Sequence, residues 1–350
     1  MKHILITRFS AMGDVAMTVP VINLLAQQHS DVKITILTRQ RFVPFYQWMP
    51  ENVKVKGINL DDYKGLPGLH RLYRHLRPLN IDAVADLHDV LRTKVLRALF
   101  RMHGTRVAVI DKGRAEKKAL IGKGIDVDPL KPMVQRYADT FEELGLHVDI
   151  TSKSCITIPA SESSKITSLV GEKKKGECWV GIAPFAAHEQ KIYTLEKMQR
   201  VAQTLAEQGC RVFLFGAGRK ESDILSSWEE KGIESVCGKL GGLTNEIILM
   251  SQLNCMLAMD SANMHIAAMI GTPVVSIWGA THPKAGFTPW AQPEENIIHI
   301  EGMPCRPCSI YGNKACIWGD MRCMTRLSID TVARRVLQTV KVKELKNLRT

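Results

Sequence analysis

The chain has 350 residues, 45% of them hydrophobic and 23% charged, an ordinary globular composition that is long for one core and suits two domains of roughly 150–180 residues. The apolar part of the opening MKHILITRFS is shorter than a secretory h-region of about 7–15 residues, and no run reaches the roughly 18 apolar residues of a membrane span. A cytoplasmic protein is expected. The formal net charge is +12, and its placement is uneven: residues 92–123 hold ten Lys/Arg against Asp111 and Glu116.

Taken in chain order, short β-rich runs alternate with amphipathic helices. HILIT (3–7), VKITILT (32–38) and AVADL (83–87) read as strands, with a helix around Val21 to Gln28 after the first. RVAVID (106–111) is a further strand and Val134 to Leu144 a helix. The basic stretch 92–123 has two readings, a solvated helical face or a surface that meets polyanions. Phe100 is its only aromatic, which argues against single-stranded nucleic acid and for a phosphorylated substrate or an anionic membrane. Residues 158–176, polar and poor in branched apolars, read as a domain junction with room for a short helix.

The pattern then restarts. WVGIAP (179–184), RVFLFGAG (211–218), SVCG (235–238), CMLAMDS (255–261) and TPVVSIWG (272–279) read as strands. Helices are expected over Leu195 to Gln208, Thr244 to Leu253 and about Ala262 to Ile270. Such alternation predicts parallel sheets covered on both faces. The chain therefore divides into an α/β domain over 1–160 and a second over 175–350, two facing Rossmann-like domains with a ligand cleft between them.

Several residues stand where chemistry would need them. Asp14 follows Gly13 just beyond the first strand, where a carboxylate is unusual. Lys191 lies in the loop after the first strand of the second half, at the strand end that faces the cleft. Asp260 ends a strand, Ser261 is placed to cap the next helix, and the N–H groups of Ser261 to Asn263 make that helix start an anion site. His265 sits one turn further, as a core histidine or a ligand. Gly216-Ala-Gly218 is only a fragment of a dinucleotide fingerprint, best read as a turn. Glu221, on the first turn after it, is a partner for the helix dipole or a group reaching the cleft.

Of nine cysteines, Cys155, Cys178, Cys210, Cys237 and Cys255 are scattered as small buried hydrophobes. Cys305, Cys308, Cys316 and Cys323 cluster as C-x2-C-x7-C-x6-C, a count and ligand type that suit zinc, reduced thiols or a disulfide. The single D-x-D, Asp126-Val-Asp128, stands beside Pro129 and reads as a loop.

Together SAMGDVAMTVP, DLHDVLRTK (86–94), Lys191 in its loop, FGAGRKES (215–222), DSANMHIAAMIGTPVVSIWGATHP (260–283) and CRPCSIYGNKACIWGDMRCM (305–324) resemble the family 9 glycosyltransferases, best known as lipopolysaccharide heptosyltransferases. The resemblance implies the GT-B fold, an N-terminal acceptor domain, a C-terminal nucleotide-sugar domain and inversion at the anomeric carbon. It makes Asp14 the general base, with Lys191 acting at the leaving group. Glu221, Asp260, Ser261, Ala262 and His265 become donor-site residues, and Arg92, Arg114 and Arg136 hold acceptor phosphates. It further implies ADP-heptose as donor and a lipid-linked inner-core saccharide as acceptor. No cofactor, resident metal or nucleic acid is implied, and the enzyme would sit in the cytoplasm against the inner membrane. Two loops depart from the family pattern: Phe-Ala-Ala precedes Lys191 where hydroxyls are common, and Ser-Ala-Asn-Met-His replaces Thr-Gly-Leu-Ser-His. Another nucleotide-sugar, or a nucleotide-dependent oxidoreductase, are the competing readings.

Overall fold

The computed structural model describes residues 1–123 and 128–347. Its contacts divide the chain into two units, Met1–Gly113 with Lys131–Ile156, and Arg114–Leu130 with Thr157 onward.

The first unit contains β1 (His3–Thr7), α1 (Met12–Gln28), β2 (Lys33–Arg39), β3 (Val53–Ile58), α2 (Gly65–Leu76), β4 (Ala83–Asp86), α3 (Leu91–Met102) and β5 (Arg106–Val109). Helix α4 (Arg114–Lys123) belongs to the second unit, and α5 (Met133–Glu142) returns to the first. All five strands are parallel, in the order β3-β2-β1-β4-β5. Leu5, Leu37, Leu72, Val84, Leu96 and Phe100 make one face of its core. β3 and α2 were not anticipated. The alternation Val53-Lys54-Val55-Lys56 is the weak signal of an edge strand with one wet face. α1 begins nine residues earlier than the sequence suggested. Pro20, which discourages a helix, lies inside it, and nearly every residue from Val15 to Ala26 is buried, so tertiary packing outweighs local propensity.

The second unit continues with α6 (Ser164–Val170), β6 (Cys178–Ala183), α7 (Leu195–Glu207), β7 (Cys210–Leu214), α8 (Gly218–Ser226) and β8 (Ile233–Ser235). After these come α9 (Leu243–Gln252), β9 (Cys255–Met259), α10 (Ala262–Met269), β10 (Val274–Ile277), β11 (Ile297–Ile298), α11 (Arg322–Thr325) and α12 (Ile329–Asn347). Its six strands are again parallel, ordered β11-β10-β9-β6-β7-β8. Val180, Ile182, Val212, Leu257 and Val275 form the sheet side of a core closed by α7 and α12. Both units are thus α/β with wholly parallel sheets, as the alternation predicts.

α4 departs from the sequence-based domain limits, which kept it in 1–160. Its Leu120 is fully buried against Ala285 and Ile310, its Lys117 ammonium stands 4.6 Å from the Phe287 ring centre, and Leu130 N–H donates to the Lys284 carbonyl. Apolar burial therefore ties residues 114–130 to the later part of the chain.

Both strand orders reverse beside the first strand of their unit. In the first sheet β1 lies between β2 and β4; in the second β6 lies between β7 and β9. Loops leaving the carboxyl ends of β1 and β4 in the first unit, and of β6 and β9 in the second, diverge to opposite faces of their own sheet and leave a crevice in each unit. Those four loops carry Asp14, the residues after Asp86, Lys191 and Asp260.

Candidate active site

In the first unit Asp14 lies in the opening turn of α1 and is about a quarter exposed. One carboxylate oxygen accepts the Ala11 N–H at 3.1 Å and meets Arg8 Nη2 at 2.8 Å. Asp14 is thus not the helix's first cap; it reaches back from the third helical position. Arg8 is buried, its Nη1 donates to the Leu87 carbonyl at 2.5 Å, and its guanidinium lies 5.9 Å from the Tyr137 ring centre. Burial opposes the Arg8 charge, but Tyr137 and Asp14 beside it hold its pKa above the usual arginine value. Arg8 was missed in the sequence. Its signal is an arginine directly after a fully buried strand, at the carboxyl end of β1.

His88 was also missed. It follows β4, where Asp86 Oδ1 accepts the N–H groups of both His88 and Asp89, while Asp86 Oδ2 pairs with Arg97 at 2.7 Å. Its Nε2 is 3.1 Å from Ser10 Oγ, and its Nδ1 is buried without a hydrogen-bond partner. Burial, with help from the Arg8 and Lys112 charges, pushes the His88 pKa down to about 4. A neutral imidazole and an ion-paired carboxylate therefore flank the same turn.

In the second unit the predicted donor residues converge. Lys191 ends a short 3₁₀ turn after β6, and its ammonium is 2.8 Å from Asp260 Oδ2, with both side chains largely buried. The Thr281 hydroxyl donates to that same oxygen at 2.8 Å, and Asp260 N–H donates to the Ile277 carbonyl. Ser261 occupies the cap position of α10 with extended backbone angles, φ −145° and ψ 179°. Its hydroxyl does not close the cap as expected; it is buried with no partner. Ala262 starts α10 and His265, one turn on, is buried. The Lys191 stem lies against Gly312, whose φ of +79° and missing Cβ permit the approach; a methyl there would overlap the lysine. The Cys-rich segment thus forms a wall of this site, pinned by buried Arg306, which donates to the Gly279, Trp278, Thr281 and Ile300 carbonyls.

Other candidates have different surroundings. Glu221 accepts the Ala217 N–H at 2.7 Å and so closes the start of α8. Arg136 is buried against Gly113 and paired with Asp111 at 2.8 Å, whereas Arg92 at the start of α3 is half-buried. Arg114 is exposed on α4 and belongs to the second unit. Cys155 and Cys178 are half-buried rather than core. Among the described residues no three His, Cys, Asp or Glu side chains are arranged to hold a metal, so the four clustered cysteines do not build the tetrahedral zinc site that their spacing allowed. Asp126 of the D-x-D lies outside the described residues, and Asp128 is exposed. A cavity of about 940 Å³, lined by Arg200, Arg211 and Glu234 among others, opens at the amino ends of β7 and β8, away from Lys191 and Asp260.

A family model described as glycosyltransferase family 9 (heptosyltransferase) matches residues 69–315. The chain belongs to this family. It is a glycosyltransferase of GT-B type. Lipopolysaccharide heptosyltransferase 3 of Escherichia coli K12 is 28% identical over 308 residues, covering 82% of this chain and 84% of that protein. A family 9 glycosyltransferase of Veillonella parvula superposes with a TM-score of 0.74 at 19% identity, covering 97% of each chain. The E. coli ADP-heptose lipopolysaccharide heptosyltransferase II does so with a TM-score of 0.71 at 17% identity, covering 98% of this chain and all of the other.

Proposed function

We propose that this enzyme transfers a heptose from ADP-heptose to a phosphorylated, lipid-linked saccharide of the lipopolysaccharide inner core, with inversion at the anomeric carbon. The observation that carries the reading is the Lys191–Asp260 pair beside the start of α10. A helix start offers N–H groups and a positive dipole end to a diphosphate, and the unpartnered Ser261 hydroxyl adds a donor. Asp260, itself held by Thr281, aims the Lys191 ammonium at the same place. That ammonium neutralises charge growing on the departing diphosphate, so the reaction needs no metal ion. The names of the relatives supply the sugar and the nucleotide.

Asp14 is the general base in this reading. An acceptor alcohol attacks only as its proton leaves, and the carboxylate takes it while Arg8 and the Ala11 N–H fix the orientation of the acid. Direct displacement by that alcohol inverts the anomeric centre. The oxidoreductase alternative loses its best feature, because the Ala217 N–H beside Gly216 and Gly218 is already taken by Glu221. We place the reaction at the cytoplasmic face of the inner membrane. No described helix is long and apolar enough to cross a membrane.

Calorimetry with ADP on Lys191→Ala and Asp260→Ala tests the donor site. Both are expected to weaken binding about 10- to 100-fold, the equivalent of one or two charge-assisted hydrogen bonds. Unchanged affinity in both would remove the diphosphate from this loop, and tighter binding of UDP than ADP would overturn the heptose donor alone. Proton NMR of the product settles the anomeric configuration.

A further inference from the structure

Two surface features of the second unit adjoin one another. The Cys-rich segment leaves Tyr311, Ile317 and Trp318 exposed at 53%, 72% and 59%, three of the ten large apolar side chains among the described residues that protrude in this way. Helix α4 packs beside that segment. Its Leu120 is buried against Ile310, its Lys117 lies over Phe287, and Phe287 meets the Tyr311 ring edge-on at 6.0 Å. Arg114, Glu116, Lys118 and Ile121 of α4 are exposed to solvent.

The charge of this face is one-sided. Residues 114–122 and 309–326 hold six Lys/Arg, all but Lys117 outside the core, against Glu116 and Asp320. The Arg322 guanidinium lies 4.9 Å from the Trp318 ring centre and pairs with Asp320 at 2.9 Å. Aromatic side chains with one apolar and one polar end, set among lysines and arginines, are matched to the headgroup layer of an anionic bilayer. A protein partner would more often bury such anchors in a shaped pocket than beside mobile lysines.

We propose that the face built by α4 and residues 309–321 docks on an anionic membrane surface, with Ile317 and Trp318 entering the headgroup layer. The inference rests on the lipid-linked acceptor proposed above for its purpose, though not for its physics. The same segment touches Lys191 through Gly312, so docking sets the donor site beside the lipid surface.

The test uses the full chain and acceptor-free vesicles, either phosphatidylcholine alone or phosphatidylcholine mixed with phosphatidylglycerol, read by flotation. The wild type is expected to float with the anionic vesicles only, and less so as salt rises. Ile317→Ser combined with Trp318→Ser should reduce partitioning at least tenfold, and Lys118→Gln or Lys314→Gln about fivefold each. Melting temperature and ADP affinity should not move in any of them. Absence of wild-type binding, or equal binding by the Ile317/Trp318 variant, overturns the proposal. Self-association abolished by that variant, with no vesicle binding, reassigns the face to a second copy and also overturns it. Transfer to a detergent-dispersed acceptor is a separate arm: its failure in the wild type refutes the proposed reaction and leaves the vesicle result standing.

Discussion

Replacing Asp14 by Asn changes one atom and two interactions. The amide keeps an oxygen for the Ala11 N–H but surrenders the charge that Arg8 meets at 2.8 Å. Arg8 is buried and keeps its bond to the Leu87 carbonyl, while Asp14 is partly solvated. The loss should therefore fall at about 1–3 kcal/mol, that of one charge-assisted hydrogen bond, below the cost of orphaning a fully buried pair. Catalysis should suffer more. A base that cannot accept a proton removes roughly 10²–10⁴ in kcat, equivalent to about 2.7–5.4 kcal/mol of barrier. Single-turnover transfer, measured beside calorimetric Kd values for ADP and acceptor and a thermal melt, separates the two. The expectation is near-native ADP affinity, a modestly lowered Tm and the full loss in kcat. Turnover near wild type in a variant with a lowered Tm would leave Asp14 as the partner of Arg8 and nothing more.

Gly312→Ala should displace the Lys191 stem and weaken ADP binding roughly tenfold, the loss of about one hydrogen bond, in calorimetry of a protein that still folds. Unaltered affinity would show that the lysine adapts. Charge reversal at Arg92 should raise the acceptor KM and its salt sensitivity without touching ADP affinity, and the same change at Arg114 tests whether α4 also handles the acceptor. An unchanged KM in both returns them to the solvated surface. His88 titrates near 4 when folded and His282, lowered first by burial and then by Arg306, also near 4. The unfolded chain binds protons at these sites below about 6.5, so stability is complete above that pH and falls between 6.5 and 4. Each histidine contributes a slope of up to about 1.4 kcal/mol per pH unit. Denaturant melts of His88→Gln should show a shallower decline over that window, and an identical decline would refute the assignment.

Much of this was legible because parallel strands buried on both faces write themselves as unbroken apolar runs. β6 and β9 are such runs, and the residue that follows β9, Asp260, stood out for being charged. What stayed hidden depends on partners distant in sequence. Arg8 and His88 gain their meaning from each other and from Asp14, three residues on two loops that meet only once β1 pairs with β4. The family resemblance made Arg136 a phosphate ligand, and only the packing of Gly113 and Asp111 shows it bound into a turn. The cysteine spacing suggested a metal, but spacing does not say where the thiols point once Arg306 has pinned the loop to four carbonyls.

The allegiance of α4 bears on how the chain is made. Leu120 leaves the ribosome some 165 residues ahead of Ala285, the first of its buried partners. At roughly 5–20 residues per second, that is about 10–30 s of synthesis during which the segment has no surface to cover. The first sheet can assemble around it, since α5 follows and closes that unit, so α4 must be spun out as a loop and held in reserve. Its lysines and arginines suit the interval, because a charged helix resists the strand pairing that would trap an exposed apolar one. Severing the gene into two halves at the obvious junction would strand this helix with the wrong partner, leaving Phe287 and Ile310 uncovered on the other piece.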